Sequence, residues 1–323
     1  MKDQPLVSVL VRSMDRSTLQ RALDSAAAQD YPNVEVVVIA ADPAHRALPD
    51  RCGAFPLRFV ATARPLKRAE AANVALEAAR GDWFNFLDDD DELKPNHVSR
   101  LRVALDANPG MRLAHSVSED VDAAGNRVGF HGGRAKPWRL LDTGFFRPCC
   151  AMFASSLLDD GATFDPRFEI LEDMDFFIQC AARTPFAFVN EVTARYYVDA
   201  GDSGAGRGVN RDDARLAAAF KVLREKWADL DKKMRATPEF RAEHALWLID
   251  NGYFDEAVPL VVQLLDENPD SADGRTLRVL QLIARGNVPR AQVILGEIGD
   301  SVPKVDGLAL KLEQIRARMA TLH

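Results

Sequence analysis

Residues 83–92 read Trp83-Phe84-Asn85-Phe86-Leu87-Asp88-Asp89-Asp90-Asp91-Glu92. The first half predicts a buried strand, and the second half sets a run of carboxylates at its carboxyl end. Upstream, the chain alternates. Leu57 to Ala61 has the character of a strand and Ala69 to Ala79 of a helix. Before them, Leu6 to Val11 reads as a strand, and Thr18 to Gln29 as a helix with Leu19, Ala22, Leu23 and Ala26 at helical spacing. Val34-Glu35-Val36-Val37-Val38-Ile39-Ala40 follows as a near-continuous apolar strand. A β-α-β opening with apolar strands predicts an α/β fold, a mostly parallel open sheet with helices on both faces.

Downstream, Pro95 opens an expected helix to Ala107, and the order then becomes mixed. Leu113 to Ser118 reads as a strand, Gly125-Asn126 as a turn, Gly132-Gly133 as a loop and Cys149 to Leu158 as a small-residue segment. A helix is expected over Glu172 to Ala182, and strands over Ala187 to Val192 and Tyr196 to Val198. Gly201 to Gly208 reads as a loop or hinge. Beyond Arg211 the pattern is wholly helical with a period of 34: Gly252 recurs as Gly286, Ala257 as Ala291 and Pro269 as Pro303. That period resembles tetratricopeptide repeats. The expected organisation is residues 1–205 as the α/β domain, 206–235 as a helical linker and 236–323 as an all-α helical-repeat domain.

The 323 residues carry 41 Lys and Arg against 48 Asp and Glu, a net charge of −7, and residues 1–205 hold all of it because 206–323 are balanced. An acidic balance argues against a nucleic-acid partner gripped through phosphates. With 47% hydrophobic residues the chain can bury an ordinary core. Uncharged stretches such as Pro148 to Leu158 are shorter than the roughly 18–20 residues of a transmembrane segment. The start, Met1-Lys2-Asp3-Gln4-Pro5, lacks a signal-peptide pattern. The expectation is a cytoplasmic protein, with peripheral attachment to a membrane as the alternative. Cys52, Cys149, Cys150 and Cys180 show no C-x-x-C spacing, so neither zinc nor a disulfide framework is expected.

Ligands of open parallel sheets sit at the carboxyl ends of the strands. After the first strand stands Arg12-Ser13-Met14-Asp15-Arg16, without a glycine-rich dinucleotide or P-loop motif. After the second comes Asp42, and after the fourth the run Asp88 to Glu92. Clustered carboxylates repel one another, which an oxygen-preferring cation such as Mg²⁺ or Mn²⁺ would relieve. The other reading is an acidic turn that caps the helix near Pro95. Glu172, Asp173 and Asp175 are open in the same way: a reactive set, or the favourable first turn of an amphipathic helix.

Pro5 to Val11, Val34 to Asp42, Asn73 to Asp91 and Phe164 to Phe177 (F-D-P-R-F-E-I-L-E-D-M-D-F-F) stand in the order and spacing of the blocks of family 2 glycosyltransferases, and the sequence resembles that GT-A family over about 200 residues. The resemblance implies an inverting transferase that moves a sugar from a nucleoside diphosphate sugar, a UDP-sugar above all, to an acceptor hydroxyl. Asp88-x-Asp90 matches the family's D-x-D, which implies Asp90 as metal ligand, with Asp88 and Asp89 near the nucleoside or the metal. Glu172-Asp173 matches its E-D pair, with Asp173 as base and Glu172 beside it. Lys67 and Arg68 stand where the family often has a basic residue near the diphosphate; they fit surface charges equally well.

The sequence departs from that pattern in three places. Arg12, Ser13 and Met14 replace a Thr or Pro, a small residue and a base-stacking aromatic. Ala40-Ala41 replaces a pair of aspartates, with Asp42 one residue late, and Asp199 replaces a metal-ligating His. Arg12, Met14 and Asp42 are thus expected at the nucleotide sugar and Asp199 at the metal, with the nucleobase left open. The acceptor is expected to be a polysaccharide, a glycolipid or other lipid-linked glycan, or a protein, with a protein partner on the helical repeats. The rival reading from another class is an inactive glycosyltransferase-like adaptor; a third, a nucleotidyltransferase on a related sheet, is weaker because this sequence lacks the glycine-rich, arginine-containing loop that such enzymes place after the first strand.

Overall fold

The computed structural model describes residues 4–133, 140, 146–200, 211–305 and 307–320. Two compact units divide at Trp227 and Ala228.

The centre of the first unit is three parallel strands: β1 (Val7–Ser13), β2 (Val34–Ala40) and β5 (Trp83–Asp88). Every residue of β2 is buried, as expected of a strand sandwiched between helix layers. The sheet also holds β3 (Arg51–Cys52), β4 (Phe55–Val60), β6 (Glu92–Leu93), β7 (Leu113–Val121), β8 (Arg127–His131), β9 (Ala151–Ala154) and β10 (Phe186–Tyr197). Its order is β3-β4-β2-β1-β5-β9-β7-β10-β6, with β8 against β7. β9 runs antiparallel to both neighbours, so the sheet is mixed and mostly parallel.

Helix α1 (Leu19–Ala27) buries Leu19, Ala22, Leu23 and Ala26, the stripe expected from their spacing. Helix α2 (Arg68–Ala78) packs an alanine-rich face onto the sheet; Glu70 accepts from the Lys67 N–H at 3.0 Å and closes its first turn. The chain then enters β5 through Gly81, where a Cβ would stand 2.6 Å from Ser8 Oγ, so only glycine fits. Three corrections to the expected elements follow. Helix α3 (His97–Asp106) begins two residues after Pro95, because a turn closed by the His97 N–H on the Lys94 carbonyl at 2.9 Å precedes it. Residues 148–154 form a 3₁₀ turn and β9, followed by the short helix α4 (Ser156–Asp159). The two late strands are one, β10, with register shifts beside Val192.

Helix α5 (Glu172–Ala181) is fixed by aromatic packing. Phe84, Phe86 and Asp88 alternate along one face of β5. Phe86 meets Phe164 edge-on at 5.3 Å, and Phe164 stacks on Phe176 of α5 at 4.4 Å. That column brings the first turn of α5 to the carboxyl end of β5. Helix α6 (Asp213–Lys226) closes the first unit, so this part of the expected linker lies within it. The loop or hinge expected at Gly201–Gly208 lies outside the described residues.

The second unit is helical: α7 (Ala228–Arg235), α8 (Pro238–Asp250), α9 (Phe254–Glu267), α10 (Ala272–Ala284), α11 (Val288–Ile298) and α12 (Leu308–Ala320). The sequence period is a structural one, since α8 and α9 recur as α10 and α11. Gly252 and Gly286 take φ of +85° and +75°. The following N–H groups, of Tyr253 and Asn287, donate back to Leu248 and Leu282 at 2.8 Å, a glycine helix stop repeated in both hairpins. Ala257 and Ala291 are both wholly buried where the helices approach. No helix among the described residues is long and apolar enough to cross a membrane.

Candidate active site

Sheet register creates the site. Arg12 and Asp88 are Cα partners on the neighbouring strands β1 and β5. Arg12 donates from Nε to Asp88 Oδ1 at 2.9 Å and from Nη2 to Oδ2 at 3.0 Å, a bidentate pair. Its Nη1 donates to Glu172 Oε1 on α5 at 2.8 Å. Burial works against the guanidinium's charge, but Asp88 and Glu172 outweigh it and hold its pKa above the ordinary value.

The acidic run is divided by direction. Asp88 and Asp90 line a cleft of about 360 Å³. Asp89, between them, is wholly buried and accepts from Ser13 Oγ, the Met14 N–H and Arg16 Nη1 at 3.0, 2.8 and 2.5 Å. It therefore fixes the loop that presents Met14, a cleft residue 46% exposed. Asp91 is buried and accepts from the Tyr197 N–H at 3.1 Å. Carboxylate oxygens of Asp88, Asp90 and Asp91 lie within 4.8 Å of one another. Burial, with Asp88 next, pushes Asp90 up to about 6; burial, with Asp90 next, pushes Asp91 well above the carboxylate range. Carboxylates crowded at this spacing fit a hard divalent cation. The capping alternative does not hold, because α3 has Asn96 at its N-cap and no acid in its first turn.

The first turn of α5, with Glu172 and Asp173, stands behind the lining of the cleft and is joined to it through Arg12. Leu171, just before it, takes φ +64°, a left-handed backbone that costs roughly 1–2 kcal/mol in a non-glycine residue. Asp173 is partly buried, accepts from the Met174 N–H at 2.8 Å, and is pushed up to about 6 by burial and then by Glu172. Asp175 faces the other way. It is wholly buried and accepts from Lys226 Nζ and Trp227 Nε1 at 2.8 Å and Gln179 Nε2 at 2.9 Å, which ties the end of α6 to α5. Asp175→Ala is expected to cost about 2 kcal/mol, because it leaves the Trp227 indole N–H without its acceptor and the Lys226 ammonium with Asp165 as its remaining partner; the urea midpoint measures this. Lys221→Ala, which removes an exposed pair with Glu225, is expected to cost under about 0.5 kcal/mol.

The remaining expected residues fall as follows. Lys67 and Arg68 line the cleft, and Lys67 Nζ pairs with Glu169 at 2.8 Å. Asp42 closes a local turn, with Oδ1 accepting from the Ala44 N–H at 2.7 Å, while Ala41 lines the cleft. Asp199 is exposed in the turn after β10, outside the Asp88, Asp90 and Asp91 cluster. Asp91, Arg16, Tyr196 and Arg215 were not anticipated. Asp91 lay in view within the acidic run, whereas Arg16, Tyr196 and Arg215 reach the cleft through tertiary placement.

Residues 8–161 match the model of Glycosyl transferase family 2. The chain is 26% identical over 231 residues, 65% of its length and 24% of the relative's, to the uncharacterized protein y4gI of Sinorhizobium fredii. It is 38% identical over 93 residues, 28% of its length and 26% of the relative's, to the succinoglycan biosynthesis protein ExoO of Rhizobium meliloti. It thus spans about a quarter of the length of these two relatives. Among solved structures, S. aureus TarS 1–349 in complex with UDP aligns at a TM-score of 0.56 and 15% identity over 97% of this chain and 92% of that one. Residues 8–161 are thus similar to family 2 glycosyltransferases, and the sheet that carries them has the GT-A fold.

Proposed function

We propose that the protein is an inverting, metal-dependent glycosyltransferase that moves a sugar from a nucleoside diphosphate donor, a UDP-sugar, to an acceptor hydroxyl. The observation that carries this reading is the cleft itself, with Asp88 and Asp90 on one wall, Lys67, Arg68 and Arg215 nearby, and the first turn of α5 joined to it through Arg12. Asp90 and Asp91, with Asp88, would hold Mn²⁺ or Mg²⁺, which supplies charge stabilisation for the departing diphosphate. Met14 packs against the nucleoside, and Lys67 and Arg68 face the phosphates. Asp173 removes the proton of the acceptor hydroxyl as the new bond forms at the anomeric carbon. TarS of S. aureus, the protein of the UDP complex, has also been solved with UDP-GlcNAc, which favours UDP as the first nucleotide to test. The helical unit is read as a tetratricopeptide-like module that docks the acceptor or a protein partner.

Thermal shift with UDP and GDP, each with and without Mn²⁺ or Mg²⁺, tests the nucleotide site. A rise in melting temperature that needs metal and nucleotide together is expected. No such rise with any pair would favour an adaptor that acts through its helical repeats.

The base assignment sets a pH dependence. Asp173 works as an anion, and burial has raised its carboxyl to about 6. At saturating metal, kcat is expected to level off above pH 7 and to fall about tenfold per unit well below pH 6. A flat profile from pH 5 to 8 would remove a group of this pKa from the rate.

A further inference from the structure

We propose that Arg12 is a positioning residue, whose single buried guanidinium holds Asp88 at the end of β5 and Glu172 at the start of α5 at a fixed separation and thereby places Asp173 relative to the donor. This rests on the donor-site reading given above. The geometry is specific to arginine. Nε and Nη2 engage both oxygens of Asp88, and Nη1 points to Glu172. A planar fork can hold two carboxylates in set directions, which a lysine ammonium on a flexible stem cannot. The Arg12 side chain is 9% exposed and that of Glu172 is 4% exposed, so the pair is shielded from the water that loosens surface ion pairs. The guanidinium carbon also lies 5.6 Å from the centre of the Phe86 ring, in the column that packs α5 onto the sheet.

The turn being held needs holding. Leu171 keeps a left-handed backbone immediately before Glu172, and such a conformation persists where its surroundings over-determine it. The Arg12–Glu172 bond is a tether from another element at that point. Both oxygens of Asp88 are engaged by Arg12, which leaves Asp90 and Asp91 as the carboxylates of the cluster free of this clamp. Asp88 thus anchors the base helix besides its place in the cluster, and Asp90 and Asp91 are left to carry most of the contacts to a cation.

Arg12→Lys and Arg12→Met, measured for donor turnover at saturating metal across pH, test this role. The charged groups acting on Asp173 are Glu172 on its own helix, Arg12 on β1 and Asp88 on β5. Arg12→Met is expected to lower kcat by about 10²-fold, the scale of a misplacement near 1 Å. It should also move the pH midpoint upward, because the cation that favours the Asp173 anion is gone. Arg12→Lys should lose about tenfold in kcat with the midpoint nearly unmoved. A purely structural ion pair would lower the melting temperature of both variants while leaving the midpoint and the kcat of the folded fraction as in the wild type; that result overturns the proposal. If Arg12→Met does not fold, a wild-type kcat in Arg12→Lys overturns it alone. If the wild type turns over no donor, the donor-site reading fails separately, and Arg12 is judged by the ¹³C carboxylate titration of Asp173. An upward move in Arg12→Met supports the proposal, and an unmoved midpoint overturns it.

Discussion

Asp90→Ala is expected to abolish metal-dependent nucleotide binding. Asp90 lines the cleft, and its side chain is 14% exposed. Of the three clustered carboxylates it is the least committed: Asp88 is clamped by Arg12, and Asp91 is buried and accepts from the Tyr197 N–H with one oxygen. Arg16 stands 3.8 Å from Asp90, the outer limit of an ion pair. The raised pKa of Asp90, about 6 from burial and then Asp88, marks an anion that lacks full compensation and would gain from a cation. Removing it takes away an anionic ligand and weakens UDP binding in Mn²⁺ by about 10²-fold or more, near 2.8 kcal/mol. Calorimetric titration of UDP with and without Mn²⁺ measures this. Wild-type affinity in the variant would refute Asp90 as a ligand. Because a proton competes with the metal, affinity in the wild type should weaken as pH falls through about 6.

Asp173→Asn is expected to keep nucleotide binding and lose transfer. Asparagine preserves the volume and can still accept from the Met174 N–H that Asp173 holds at 2.8 Å, so the turn survives. What disappears is a group that can take the acceptor's proton, worth about 10²-fold or more in rate. Steady-state transfer and UDP titration on the same preparation separate these effects. Unchanged transfer would remove Asp173 from the role of base; lost nucleotide binding would make it a donor ligand instead. Comparison with Asp175→Ala sharpens the contrast, since Asp175 lies two residues on but is bonded to Lys226 and Trp227. Its loss acts on stability.

The sheet was legible where burial leaves a one-dimensional trace. The runs Val7–Ser13 and Val34–Ala40 are apolar because both faces are covered, and the chemistry follows the strands to their carboxyl ends. Strand β10 reads as two in the sequence because Thr193-Ala194-Arg195 breaks the run of large apolar residues, whereas in the fold Thr193 and Ala194 are buried and Ala194 and Arg195 pair with β7 within one strand. The repeat in the second unit was legible because Gly252 and Gly286 need a positive φ and Ala257 and Ala291 need close approach, both of which restrict residue identity.

The site was legible in its parts and hidden in its pairing. Asp88, Asp90, Glu172 and Asp173 were visible as charges at element ends. That Arg12 would join Asp88 to Glu172 depends on the register of β1 against β5 and on the aromatic column under α5, neither of which leaves a local pattern. The end of the first unit was hidden for the same reason. Lys226 and Trp227 look like ordinary helix and linker residues until Asp175 is placed against them.

If this cleft activates a nucleoside diphosphate sugar, it should pass the sugar slowly to water when no acceptor is present. Free UDP should therefore be measured after incubating the protein with a panel of UDP-sugars and Mn²⁺, beside matched samples in EDTA. UDP release is expected from at least one donor, and is expected to be lost in EDTA and in Asp90→Ala. No release from any donor, from protein that is folded and supplied with metal, would contradict it.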